Sequence, residues 1–347
     1  MLYPTVHLGK KVPKHYIGAF EAMTYNGDDN TPQSLWSTCK TNIVYQQDGS
    51  VDLESLTYTI DASSYRGGSR SSNSYGDTTA KSLLGKPATN IAIANFAAYG
   101  RARGNGYAMI NWASWNAMYR LYVVEYASFN SQDTFNSSLT SDGYHQGGLG
   151  NGVTNANSTN WENQLGYNPY IPCGTTIKLG SNSGIVRCVL PSEINNISTD
   201  CYVPSYRGIE NPFGHIWQIT NGISIYGQDN VNYIFTDDSG IYARNFTAIN
   251  STTAPSGYTL KSSTTPLNSG YTTQINFDES GEFIPKTVGS TPMLYDYFYG
   301  SNTGAKRLLL GGSSYCGSFA GLFCFYCSSG VGSASAAVGS RLLYIKE

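Results

Sequence analysis

The chain has 347 residues, a formal net charge of −2 and 13% charged residues, enough length for one large domain or two of ordinary size. It carries neither a basic field that would attract phosphate backbones nor an acidic block typical of a disordered tail, so nucleic acid is not an expected partner. The 40% hydrophobic content is globular, while 38 Gly and 28 Tyr with frequent Asn, Ser and Thr predict short strands, long loops and few helices.

Residues 1–14 hold His7, Lys10, Lys11 and Lys14 without the apolar run of a secretion signal. No stretch reaches membrane-spanning length. The expectation is a chain made in the cytoplasm, with no signal peptide and no membrane insertion. Residues 15–23 predict a strand between Pro13 and the turn Asn26-Gly27-Asp28, and residues 51–62, with Leu53, Leu56, Tyr58 and Ile60, predict a second. The Ser-, Gly- and Asn-rich residues 63–79 read as an exposed loop. Thr89 or Asn90 then caps an Ala-rich helix that runs to Tyr99 and stops at Gly100 and Gly104. A second helix is marked by Trp115, Met118, Tyr119, Tyr122 and Tyr126, which recur on one face as a core stripe, with Asn116 and Arg120 off it. Residues 129–167 are polar, glycine-dense and without periodicity, a length of irregular chain that is usually functional or packed on itself. Short strands are expected at 175–179, 185–190, 216–219, 223–226, 233–236, 307–310, 322–327 and 341–345. Residues 1–88 are read as strands and a loop of the same domain, and 89–347 as its core.

Sites of chemistry are few. The seven cysteines, at 39, 173, 188, 201, 316, 324 and 327, are odd in number and irregular in spacing, which argues against a disulfide framework. Cys324-Phe-Tyr-Cys327 has the spacing of a zinc half-site, but no second pair matches it. His7, His15, His145 and His215 are too scattered for a metal site or triad. Asp237-Asp238 and Asp278-Glu279 sit beside Gly240 and Gly281 and read as solvated turns. No catalytic residue, metal or cofactor is expected.

Three ordered segments carry a resemblance. They are Asn95-Phe-Ala-Ala-Tyr-Gly-Arg-Ala-Arg-Gly-Asn-Gly-Tyr107 with Leu121-Tyr-Val-Val-Glu-Tyr-Ala-Ser-Phe-Asn-Ser-Gln132; Tyr206-Arg-Gly-Ile-Glu-Asn-Pro-Phe-Gly-His-Ile-Trp217; and Leu308-Leu-Leu-Gly-Gly-Ser313 with Ala320-Gly-Leu-Phe323 and Val338-Gly-Ser-Arg341. Together they resemble the variable proteins diversified by retroelements, including phage tail-fibre tropism determinants. The resemblance implies an α+β, C-type-lectin fold of the formylglycine-generating-enzyme-like subgroup: two helices on a small twisted antiparallel sheet, with long loops. It also implies a hypervariable receptor-binding surface near the chain end, on a virion tail fibre that meets a bacterial surface molecule, protein or glycan. A homo-oligomer, as in trimeric fibres, goes with it.

The strip 311–340 agrees with that expectation in composition. It contains only Gly, Ser, Tyr, Cys, Phe, Ala, Leu and Val, with no charge and no Asn. In the family, reverse transcription randomises adenines in Asn-rich template codons, and Ser, Tyr, Cys, Phe, Ala and Gly are reachable outcomes. The positions implied to vary, and so to touch ligand, are Ser314, Tyr315, Cys316, Ser318, Phe319, Cys324, Tyr326, Ser328, Ser329, Ser333, Ser335 and Ala337, with Tyr315, Phe319 and Tyr326 as anchors. Tyr and Phe offer large contact area with few rotors to freeze, as in antibody loops. On pattern alone, residues 322–327 also read as a buried strand followed by a loop. Two other roles are compatible with the same resemblance: a bacterial surface-displayed adhesin, which would need a signal peptide or lipid anchor, and an oxidase of the formylglycine-generating type, whose catalytic motif is not matched. Calcium-dependent sugar binding would need Glu-Pro-Asn and Trp-Asn-Asp, but Glu210-Asn211-Pro212 has another order and Trp-Asn-Asp does not occur.

Overall fold

The structure, a computed structural model, describes residues 87–89, 91–135, 173–189, 200–237, 245–277, 281–301, 303–335 and 337–346, with short stretches at 2–3, 6–7, 10–11, 14–25, 34–37, 47–49, 51–52, 66–69, 167–169 and 171. The elements that position the C-terminal strip are, in chain order, β1 (Lys14–Glu21), α1 (Ile93–Ala102), β2 (Tyr107–Met109), α2 (Trp112–Tyr126), β3 (Trp217–Gln228), β4 (Val231–Asp237), β5 (Tyr258–Pro266), β6 (Gly270–Phe277), β7 (Phe283–Gly289), β8 (Tyr297–Gly300), β9 (Gly304–Gly311), β10 (Gly321–Cys327) and β11 (Arg341–Lys346).

Helix α2 forms where the apolar stripe requires one. Asn111 caps it by accepting a hydrogen bond from the Ser114 amide at 2.8 Å, and Trp115, Met118, Tyr119 and Tyr122 are buried. Ala127, left-handed at φ 49°, ends it. Asn116, placed off the stripe by periodicity, is nonetheless 1% exposed. Helix α1 starts later than expected, at Ile93, and its N-cap Ala92 makes no side-chain cap bond; Thr89 is buried instead.

The sheet is where the expected fold fails. β3 to β10 form one sheet in the order β5-β4-β3-β9-β10-β8-β6-β7, with the short strand Val338–Gly339 parallel to β3. Its two end strands approach each other: the Thr265 hydroxyl donates to the Pro285 carbonyl at 2.7 Å, and Lys261 meets Glu282 at 3.3 Å. The sheet thus curls into a nearly closed, eight-stranded, barrel-like body. Strand makes up 47% and helix 15% of the described residues, so the protein is mostly β rather than an α+β C-type-lectin fold of two helices on a small sheet. The reason is physical. β5 is Ser- and Thr-rich and largely exposed, and in β6 and β7 Thr, Gln, Asn, Pro and Lys interrupt the apolar residues, so none of the three shows a long apolar run, although Thr and Tyr favour extended chain.

Smaller differences follow the same logic. The expected strands at 216–219 and 223–226 are one twelve-residue strand, β3, continuous through Gly222. Residues 175–179 hold a 3-10 turn, Ile177–Leu179, rather than a strand. The expected strands at 185–190, 233–236, 322–327 and 341–345 are present within a residue or two, that at 307–310 begins three residues earlier, and 15–23 is split into Lys14–Glu21 and Met23–Tyr25. Residues 136–166 of the long irregular stretch, most of residues 51–79, the pair 278–279 and residue 238 fall outside the described residues.

The two ends of the chain meet in a second sheet, in which β1 lies between Leu2–Tyr3 and β11, and β11 pairs on its other side with β2. Beneath it, Arg341 is 1% exposed and binds four carbonyls: Nη1 donates to Ala19 at 3.0 Å and Gly18 at 3.4 Å, and Nη2 to Asn211 at 2.7 Å and to Glu210. Burial lowers its pKa, while Glu21, Cys173 and Glu210 pull the other way. Beside it the Glu21 carboxylate lies 2.7 Å from His215 Nδ1 and accepts from Gln218 at 3.1 Å. This network ties β1, the turn at Asn211 (φ 46°) and the start of β3 to the residue that ends the strip.

Candidate binding surface

Strands β8 and β10 are parallel neighbours, with Phe298 opposite Phe325 and Tyr299 opposite Tyr326. Side chains alternate across a strand, and the consequence is a two-faced aromatic layer. On one face, Phe323 stacks on Tyr119 of α2 at 4.8 Å, and Phe325 meets Phe298 at 5.7 Å and Trp112 at 6.0 Å. These are core contacts. On the other, Tyr326 lies 5.5 Å from Tyr299 and 5.1 Å from Trp217, and Tyr297 lies 4.4 Å from Phe319 and 4.6 Å from Tyr299. Tyr297, Tyr299, Phe319 and Tyr326 are all half-buried, each packed against at least one of the others.

Between β9 and β10 the chain makes a 3-10 segment, Ser314–Phe319, broken at Gly317 (φ 50°). Its path, and that of the start of β10, is set by side chains from outside the strip. The Trp115 indole donates to the Leu322 carbonyl at 2.7 Å, and the Ser131 hydroxyl accepts from the Leu322 amide at 2.8 Å. Asp296 Oδ2 accepts from the Phe323 amide at 2.7 Å, while Gln132 Nε2 donates to the carbonyls of Ser318, at 2.7 Å, and Ala320. Further on, Arg307 Nη1 donates to the Ser333 carbonyl at 2.5 Å, and the Arg307 amide donates to Ser329. Trp115, Ser131, Gln132, Asp296 and Arg307 are each no more than 2% exposed. Every one of these bonds goes to the strip's backbone. Buried bonds of this kind are costly to lose, yet none depends on which side chain the strip carries at that position.

Asp296 bears directly on this arrangement. Burial raises its pKa well above the ordinary value, against the opposing hydrogen bonds from the Phe323 amide and Ser131. Its Oδ1 lies against Gly321, where an added Cβ would come within 2.0 Å, so only glycine admits the carboxyl at that position. Burial also lowers the Arg307 pKa, to about 10.

The positions expected to touch ligand divide into groups. Ser318, Phe319, Tyr326, Ser328, Ser329, Ser335 and Ala337 are half-buried, and Ser333 is exposed, so all eight are reachable. Tyr326 and Ser329 join through their hydroxyls at 3.1 Å. Cys316 and Cys324 are corrections: 8% and 0% exposed, they belong to the core. The 3-10 segment folds over this part of the sheet, and burial raises both thiol pKa values. The side chains of Ser314 and Tyr315 lie outside the described residues. Tyr297, Tyr299 and Trp217 were not expected at this surface. The every-second-residue tyrosines of 295–299, between Gly289-Ser290-Thr291-Pro292 and Gly300-Ser301-Asn302, carried the signal.

Candidate chemistry elsewhere is thin. Cys173, Cys188, Cys316, Cys324 and Cys327 are all buried. Burial pushes Cys327 up to about 12, with Lys306 opposing, which leaves it unreactive as a nucleophile. Among the described residues no group of three or more His, Cys, Asp or Glu side chains could hold a metal ion, and no helix is long and apolar enough to cross a membrane. No family model matches the chain, and no curated protein matches it significantly.

Proposed function

We propose that this chain is a receptor-binding protein whose C-terminal strip is the recognition surface. The observation that carries this reading is the separation of roles at that strip. Its backbone is held by Trp115, Ser131, Gln132, Asp296 and Arg307, while Ser318, Phe319, Tyr326, Ser328, Ser329 and Ser333 remain accessible. A surface built so can change side chains without changing shape, and a pre-ordered backbone keeps the entropic cost of binding low. The composition of residues 311–340 fits diversification by a retroelement acting at Asn codons. The setting that joins these features is the tip of a phage tail fibre adsorbing to a bacterial surface molecule, with no covalent change to the ligand.

The test has a genetic and a physical arm. The genetic arm looks beside the gene for a reverse transcriptase and a near-copy of the segment encoding residues 311–340 that differs mainly at adenines. In the physical arm, Phe319→Ser combined with Tyr326→Ser should abolish adsorption to a bacterial strain that retains the parent chain, because aromatic anchors typically carry about 2 kcal/mol or more each. Unchanged adsorption would refute the reading.

A further inference from the structure

The loop that leads into β8 carries a pattern that the strip does not explain. Met293 is 63% exposed and Tyr295 39%, and together with half-buried Tyr297 and Tyr299 they alternate with half-buried Leu294 and buried Asp296, Phe298 and Gly300. Two large apolar side chains are therefore exposed in the turn that leads directly into the outer aromatic face. Tyr295 is also held left-handed, at φ 59°, a conformation that is an outlier for a bulky side chain. Its exposure means that core packing does not compensate the strain. The backbone around it is fixed: the Leu294 amide donates to Thr272 at 3.3 Å, the Asp296 amide to Leu294 at 2.7 Å, and the Thr272 amide to Asp296 at 3.4 Å. Strain maintained by surrounding structure at an exposed aromatic residue points towards function. Physical continuity with the strip is direct, because Asp296 binds the Phe323 amide and Tyr297 packs on Phe319.

Charge narrows the occupant. Residues 287–305 contain one charged type, Asp296, and residues 308–340 contain none. Asp296 is fully buried, as are Lys306 and Arg307 between the two stretches, at 1% and 2% exposure. Within these stretches the surface offers Met, Tyr and Phe with serine hydroxyls and no exposed charge. Depletion of charge with enrichment of aromatic residues and Met is the composition of the centre of a protein–protein interface, and an exposed Met adapts to varied apolar shapes.

We propose that Met293 and Tyr295 are a fixed flank of the recognition surface, and that the surface as a whole seats an uncharged, apolar patch of a folded protein. The flank would supply constant affinity while the strip supplies discrimination. This rests on the receptor-binding reading above, and the experiment separates the two. Adsorption to intact cells of a bacterial strain that retains the parent chain is measured for Met293→Ser, Tyr295→Gly and, as reference, Phe319→Ser, at low and high salt. It is then repeated on cells treated with proteinase K or with periodate. Tyr295→Gly should leave the melting temperature at or above that of the parent, because glycine accepts the left-handed backbone without strain, and should weaken adsorption by about tenfold or more, as loss of an aromatic anchor does. Met293→Ser should weaken it in the same direction. Proteinase K should abolish adsorption, periodate should not, and salt should change it little. If both flank variants adsorb like the parent while Phe319→Ser does not, the flank is idle surface and receptor binding stands. If all three adsorb like the parent, or the parent adsorbs to no strain, both readings fail. Loss on periodate treatment with survival of proteinase K would show a glycan occupant and overturn the protein patch.

Discussion

The two faces of β8 and β10 use the same residue type to opposite ends. Phe298, Phe323 and Phe325 lie against Trp112 and Tyr119 and are at most 1% exposed; Tyr297, Tyr299, Phe319 and Tyr326, a residue or a turn away, stay half open. Aromatic content alone therefore says little about role. What separates the faces is the bonding of the backbone between them. Because Ser131, Gln132, Asp296 and Trp115 hold the main chain at Ser318, Ala320, Leu322 and Phe323, the inner face can be packed while the outer one remains free to differ.

Four substitutions, in falling order of effect, would break or sharpen that contrast. Phe325→Ala and Arg341→Ala should each cost about 3 to 5 kcal/mol in urea unfolding, the first by emptying a core site and the second by stranding four buried carbonyls. Gln132→Ala should cost about 1 to 3 kcal/mol, since it leaves the Ser318 and Ala320 carbonyls without their donor, and hydrogen exchange should rise across residues 318–322. Phe319→Ser, on the open face, should cost about 1 kcal/mol, in the ordinary range for a partly exposed site.

The smallest effect concerns pH. The folded pKa of Asp296 lies above its unfolded value, so its contribution is fully present below the unfolded value near 3.8 and is lost as pH rises through the folded one. Asp296→Asn should therefore flatten the fall in melting temperature between mildly acidic and alkaline solution. An identical pH profile in parent and variant would show that Asp296 does not remain protonated above the usual carboxylate range.

Part of this was legible from residues alone. The stripe from Trp115 to Tyr122 marks α2 because helical periodicity survives in a single sequence, and the charge-free strip from 311 to 340 stands out by composition. The barrel-like sheet was not legible. No element was expected at β5, β6 and β7, since strands whose apolar residues are interrupted by Thr, Ser, Gln and Lys are held in the sheet by pairing with neighbouring strands rather than marked by their own apolar content. The clamp was equally hidden: Ser131 and Gln132 sit 191 and 188 residues from the amide and carbonyl they bind in β10 and before it. Cys316 and Cys324 look like neighbours of Tyr315 and Tyr326 in sequence, but the fold turns them inward.

The most direct test of the account is to replace the accessible side chains of the strip together while leaving its clamp intact. A chain carrying Ser318→Asn, Phe319→Ser, Tyr326→Ser and Ser329→Asn should melt within a few degrees of the parent, as expected for a loss of about 1 to 2 kcal/mol in a domain of this size, and should no longer adsorb to the strain that retains the parent. A variant that unfolds, or one that remains folded and adsorbs as before, would contradict it.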